Sequence, residues 1–266
     1  MSKELVQKQF GTNAAAYVTS AVHAKGDSLK RLVELVKPEP HWRALDIATA
    51  AGHTALAFAP RVAHVIASDL TDEMLVQAKK LAATRGVTNI ETSKADAEAL
   101  PFADASFDLV SCRIAPHHFP DIAKFVAEVF RVLKPGGTFA LVDNVSPDAQ
   151  TTPGHTDAEL AAAAETYNEF EKIRDPSHGR ALTMSEWTRL VVAQGFTIAH
   201  TELLDKAMDF AVWCRNMQVP AATVPRLKAM LADASPAFRA FIRPNAAGEA
   251  GGFVLIELVM IGKKPD

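Results

Sequence analysis

Between Arg43 and Leu70 the chain reads RALDIATAAGHTALAFAPRVAHVIASDL, and this stretch restricts the fold more than any other. Ala44-Leu45-Asp46-Ile47-Ala48 is a short apolar run carrying one carboxylate. The small residues Thr49, Ala50, Ala51 and Gly52 follow as a tight turn, and TALAFAP is compatible with a helix halted by Pro60. His64-Val65-Ile66-Ala67-Ser68 is a second buried-strand run, with Asp69 at its carboxyl end. Two parallel strands joined by a helix form the unit that binds nucleotides at the carboxyl edge of an open sheet. Asp69 stands near the position from which an acidic side chain accepts ribose hydroxyls.

The rest of the chain continues the alternation. Asp27 can cap a helix whose Leu29, Leu32, Val33 and Val36 form an apolar stripe ending near Pro38. Thr71 can cap the next, with Asp72 and Glu73 at its positive end. Its buried face is Met74, Leu75, Ala78, Leu81 and Ala82, and Gly86 stops it. A weaker third strand ends at Ala95-Asp96, SFDLVSCRIA is a fourth, and a helix from Asp121 puts Ile122, Phe125, Val126, Val129 and Val132 on one side. Pro135-Gly136-Gly137 turns into a fifth strand, TFALVDNV. This spacing predicts an α/β protein with a doubly wound, mostly parallel sheet. Past Val145 the alternation lapses. Residues 146–182 read as helical and end in a loop dense in Arg174, Asp175, His178 and Arg180. Thr183-x-x-Glu186 is a capping box, FTIAHTELL a sixth strand, 207–243 helical again, and GGFVLIELVMIG the closing strand.

Composition removes several function classes. A net charge of −3 gives no electrostatic reason for a polyanion partner, so no nucleic acid is expected. Cys112 and Cys214, the only cysteines, supply neither a disulfide framework nor a thiolate metal site. No apolar run approaches the roughly 20 residues of a membrane span, and MSKELVQKQF lacks a signal-peptide core. The expectation is a cytoplasmic monomer or homodimer with a small-molecule partner.

The turn decides the ligand. A dinucleotide pyrophosphate approaches bare backbone and expects G-x-G-x-x-G, whereas this turn is A-T-A-A-G-H. Ala48 and Ala50 carry a Cβ where glycines would stand, which argues against an NAD(P)-dependent oxidoreductase. A ligand with no phosphates and a zwitterionic amino-acid end is easier to seat.

Four segments in order, LDIATAAGHTALAFAP, VIASDLTDEML, KADAEALPFADASFDLVSCRIAPHHFPD and VFRVLKPGGTFALVDNV, resemble the class I S-adenosylmethionine (SAM)-dependent methyltransferases. The nearest resemblance is to the UbiE/COQ5-like, methyltransferase type 11 group of small bacterial enzymes. The N-terminal FGTNAAAY resembles that family's lid segment. The resemblance implies a Rossmann-like sheet of seven strands, the last antiparallel, with helices on both faces and helical cap insertions. It implies one methyltransferase domain over 1–266: a lid at 1–26, a SAM-binding core at 27–145, and insertions at 146–182 and 205–245 covering the substrate. It further implies that Asp46 and Ala48 lie near the SAM amino end, and that Gly52 lets the helix close on the first strand. Asp69 would accept from the ribose, Leu70 and Met74 would pack the adenine, and Asp96 and the Ala97 N–H would bond its edge. Arg113 would turn its carbonyl toward the methionine moiety, and Tyr17 would cap the site.

Methyl transfer from a sulfonium is an in-line displacement to an oxygen, nitrogen or carbon atom, with S-adenosylhomocysteine as product; the enzyme supplies mainly alignment. A base is needed only where the acceptor must lose a proton, and His117 and His118, directly after the fourth strand, are the candidates. No carboxylate-histidine cluster completes a metal site around them, so no metal is expected. His118, Tyr17, His178, Arg174 and Arg180 are the candidate acceptor contacts, the arginines suiting an acidic group. Phe210, Trp213, Phe238 and Phe241 can line an apolar pocket or form ordinary core, and Cys112 reads as inert packing. A SAM-binding scaffold or sensor without transferase activity has the same cofactor motifs and stays open here.

Overall fold

Apolar strands buried on both faces build the frame, as parallel sheets require. The computed structural model describes residues 3–19, 26–244 and 251–266, with the side chains at 12–13 and 15–19 outside that description. Strands β1 (Arg43–Ile47), β2 (His64–Asp69), β3 (Ile90–Lys94), β4 (Phe107–Arg113) and β5 (Leu133–Asn144) pair in parallel. Strand β6 (Thr197–Asp209) and the antiparallel β7 (Gly252–Lys263) complete a seven-stranded sheet in the order β3-β2-β1-β4-β5-β7-β6. This is the expected Rossmann-like methyltransferase sheet. Strand order reverses between β1 and β4, and at such a switch point the connections leave a crevice at the carboxyl ends of the strands.

Helix α1 (Lys3–Thr19) packs on α4 (Asp72–Thr84), α2 (Asp27–Val36) covers β5 and β7, and α3 (His53–Phe58) leaves the first turn. Helix α5 (Ile122–Val132) buries Phe125, Val126, Val129 and Val132 completely, on the face its sequence marks. Asp121 caps it by accepting the Lys124 N–H at 3.0 Å. After β5 come α6 (Asp157–Arg174) and α7 (Met184–Ala193), each opened by a reciprocal capping box, Thr156 with Glu159 and Thr183 with Glu186. Helices α8 (Phe210–Asn216), α9 (Val224–Ala232) and α10 (Pro236–Ile242) fill the stretch between β6 and β7. Two apolar clusters cover the sheet: Leu32, Val36, Phe58, Val65 and Val142 belong to one, and Phe125, Phe139, Trp187, Phe170 and Trp213 to the other.

Several local expectations need correction. Residues 146–156 and 175–182 are not helical, and β6 runs to Asp209, so the second helical segment begins at Phe210. A thirteen-residue strand persists because β7 offers a partner along its length, from Lys263 opposite Thr197 to Gly252 opposite Asp209. Strand β5 begins at Leu133, before the Pro-Gly-Gly turn. Gly26, not Asp27, occupies the cap of α2, and Thr71 caps α4 without a side-chain bond.

Candidate active site

Strands β1 and β2 run in register, Ile47 beside Ser68, and the chain leaving each turns over the same opening. Beyond β1 the backbone enters the left-handed region at Ala48 (φ 52°), Ala50 (φ 48°) and Gly52 (φ 87°). That path aims the Ala50 N–H at Asp69 Oδ2, 2.9 Å away, while Thr71 N–H donates to Oδ1 at 2.9 Å. Burial pushes the Asp69 carboxyl above its usual value against these donors. Beneath the turn, Asp46 Oδ2 accepts from the Thr49 hydroxyl at 2.6 Å and the Ala55 N–H at 3.2 Å, and Oδ1 accepts from the Ser111 hydroxyl at 2.7 Å. Burial pushes Asp46 up to about 6, with the two hydroxyls opposing.

A cavity of about 510 Å³ opens over these strand ends, a size suited to small ligands. One end is walled by Ala48, Ala50, Asp69, Leu70, Met74, Asp96 and Ala97, and by Lys3, Val6 and Phe10 of α1. Lys3 Nζ reaches Asp96 at 2.6 Å and Glu98 at 2.7 Å, and Gln7 Nε2 donates to the Leu70 carbonyl at 3.0 Å. These bonds lay α1 across the mouth. The side chain of Tyr17 lies outside the described residues. Gly52 does not line the cavity. Its close approach is to α4, where an added Cβ would stand 3.1 Å from Ala78 Cβ, so the expected contact with the first strand is corrected.

The other end holds Arg113, His117, His118, Asn144, Glu171, Arg174, Asp175, His178, Lys206 and Trp213. His117 Nδ1 lies 2.5 Å from Asp143 Oδ1. Burial alone would lower His117, but the charge and hydrogen bond of Asp143 outweigh it and hold the imidazole above its usual value. His118 Nδ1 meets the Ser177 carbonyl at 2.8 Å. Burial, reinforced by the charge on His117, takes His118 down to about 3, which makes it a poor base near neutrality and corrects its expected catalytic part. His178 donates from Nε2 to Asn168 Oδ1 at 2.9 Å, and burial takes it down to about 2. Phe10 meets the His118 ring edge-on, centroids 4.9 Å apart.

Arg180 is not brought to the cavity; its exposed guanidinium pairs with Glu186 of α7. Arg174 is there, but its cation lies 4.9 Å over the Trp213 ring and 3.8 Å from Glu171. With the Glu171 and Asp175 carboxylates alongside, this end does not favour an anion, which corrects the expected recognition of an acidic acceptor. Phe210, Phe238 and Phe241 are core, whereas Trp213 reaches the cavity. Cys112 is fully buried with its thiol raised by that burial, and it is inert by the same argument. Sequence reasoning missed Lys3, Asn144, Glu171 and Lys206. Two carried a signal: Asn144 ends β5 at the carboxyl edge, and Glu171 sits four residues after Tyr167 on the buried face of α6. Among the described residues no His, Cys, Asp or Glu group is arranged to hold a metal ion, and no helix is long and apolar enough to cross a membrane.

A methyltransferase domain model matches residues 45–141. The chain is also 34% identical over 257 residues to the uncharacterized methyltransferase YcgJ of Bacillus subtilis (strain 168), covering 96% of this chain and 97% of that one. The chain belongs to the methyltransferase domain family. The crystal structure of YcgJ superposes on this methyltransferase with a TM-score of 0.82, covering 90% of this chain and 98% of that chain at 34% identity. The ubiquinone/menaquinone biosynthesis C-methyltransferase UbiE of Brucella anthropi is 32% identical over 148 residues, 54% of this methyltransferase and 52% of its own length. The phosphoethanolamine N-methyltransferase 2 of Haemonchus contortus, solved in complex with S-adenosyl-L-methionine, shares the fold. Its TM-score is 0.59 at 16% identity, over 90% of this chain and 53% of that one.

Proposed function

We propose that this methyltransferase moves the methyl group of SAM to a small-molecule acceptor held beneath α6 and α8. The observation that carries the reading is the bond from Ala50 N–H to Asp69 at the rim of the cavity. It fixes a carboxylate where ribose hydroxyls donate, in a turn whose alanines leave no bare backbone for a pyrophosphate. The residues fit the cofactor along its length. Asp69 accepts from the ribose, Leu70 and Met74 flank the adenine, and Asp96 with the Ala97 N–H bonds its edge. The Arg113 carbonyl and Asp46, with Ala48 above it, face the amino-acid end. When bound, SAM supplies an electrophilic methyl on a sulfonium and leaves as S-adenosylhomocysteine.

The chain's own part is alignment and proton management. Where the acceptor must lose a proton, His117 takes it at Nε2, because Nδ1 is committed to Asp143. Asp143 orients the ring and stabilises the imidazolium that forms. A raised histidine suits proton removal near neutrality better than His118 does. His118 and Phe10 close the space above the acceptor. Residues 1–26 act as lid, 27–145 as cofactor core, and the helical segments within 146–182 and 205–245 as substrate cap, in one domain.

Calorimetric titration with SAM, S-adenosylhomocysteine and NADH tests this, with Asp69→Ala alongside. The expected result is binding of both sulfur ligands, none of NADH, and at least a tenfold loss in the variant. NADH binding alone would move the protein to the oxidoreductases.

A further inference from the structure

The acceptor end of the cavity contains polar atoms that the fold itself does not satisfy. Glu171 is 4% exposed, and its Oε1 has no hydrogen-bond partner among the described residues. Its other oxygen stands 3.8 Å from Arg174, an ion pair but not a hydrogen bond. Asn144 Oδ1 and Trp213 Nε1 are likewise buried without a partner, and all three residues wall the same cavity. A buried polar group left unmade costs about 1–3 kcal/mol, so three around one opening are not a packing accident. Each is placed firmly. Glu171 belongs to the capped helix α6, Asn144 ends β5, and Trp213 stacks on Phe170 with centroids 4.7 Å apart.

The pattern specifies a ligand. Two orphan acceptors, Glu171 Oε1 and Asn144 Oδ1, call for a hydrogen-bond donor, and the orphan indole N–H calls for an acceptor. Met208, Val212, Met217 and Leu255 supply apolar wall beside them. We infer that Glu171, Asn144 and Trp213 anchor the methyl acceptor, and that this acceptor is an apolar molecule with an uncharged head that both donates and accepts hydrogen bonds, a hydroxyl or a carboxamide. A carboxylate head would lie against Glu171, and an ether or quaternary ammonium would leave its oxygen unpaired. The inference rests on the reading that the opposite end holds the methyl donor. Glu171 here is a positioning and selecting group, with proton removal left to His117. Burial pushes its carboxyl above the usual value, in keeping with an oxygen that awaits a ligand's hydrogen.

The test uses four probes on one apolar body, 2-naphthol, 2-naphthamide, 2-naphthoate and 2-methoxynaphthalene. Each is titrated calorimetrically into the full chain with and without S-adenosylhomocysteine. The naphthol and the amide should bind at least tenfold more tightly than the acid and the ether, and Glu171→Met should erase that difference while Glu171→Gln keeps part of it. Because the carboxylate has no hydrogen-bonding partner at Oε1, Glu171→Met should hold or raise Tm. Preference for the acid, equal or absent binding of all four, an unchanged preference in Glu171→Met, or a Tm lowered by several degrees in both variants would overturn the inference. Failure of S-adenosylhomocysteine to bind would strike the donor reading instead, and the probe series without it would still report on Glu171.

Discussion

Ala50 and Asp69 lie nineteen positions apart and share one hydrogen bond, 2.9 Å from the amide of the first to Oδ2 of the second. The bond exists because Ala50 holds φ at 48°, a conformation that L-residues with a Cβ adopt at a cost of roughly 1–2 kcal/mol. The turn therefore keeps a glycine's path with an alanine's side chain.

Replacing Ala50 or Ala48 by glycine should stabilise the protein. Relief of the left-handed strain outweighs the roughly 0.4–1 kcal/mol that glycine returns to the unfolded chain, leaving a net gain of about 0.5–1 kcal/mol. Gly52→Ala should act in the opposite sense, by about 1–3 kcal/mol, because φ is 87° and the new Cβ would crowd Ala78. Urea unfolding midpoints of the three variants decide this; a destabilised Ala50→Gly would remove the strain argument.

His178 makes the fold sensitive to acid. It is neutral in the folded protein, held down to about 2 against 6.5 for the free side chain. Between those values the unfolded chain binds the extra proton, so the stability it contributes is present above about pH 6.5 and is lost as pH falls below it. The slope for one such group is at most about 1.4 kcal/mol per pH unit. His178→Gln, which can still donate to Asn168, should lose less Tm than the wild type between pH 7 and pH 5. Parallel losses in the two proteins would show that His178 is not a source.

Lys3 ties α1 to the floor of the cavity through Asp96 and Glu98. Its side chain remains about one-third exposed, so the pair contributes little to global stability, under about 1 kcal/mol. Lys3→Met should leave Tm nearly unchanged yet speed amide hydrogen exchange within α1. Exchange that stays as slow as in the wild type would mean the helix is held by its packing on α4 alone.

The sheet was legible because its information is local. β1, β2 and β4 are short apolar runs ended by residues that cannot continue them, and α5 displays its buried face at helical spacing. Asp69 and Asp96 were legible for the same reason, each closing a strand in a recognisable segment. The acceptor end was not. Glu171 reaches the cavity only after α6 is laid over β4 and β5, and Lys206 only because β6 pairs with β7 past the point where its own sequence looks like a strand. Arg180 and Arg174 look equivalent in the string EKIRDPSHGR, and nothing local tells which is drawn to Glu186 and which to Trp213.

The cavity's two ends come from different parts of the chain. One is made by residues 46–98 and the start of α1, the other by strand ends beyond residue 113 and by segments 171–178 and 206–217. Substitutions and insertions in the later segments can reshape one wall while the turn at Ala50 and the carboxylate of Asp69 keep their geometry. A protein divided in this way can change what it modifies while keeping what it modifies it with.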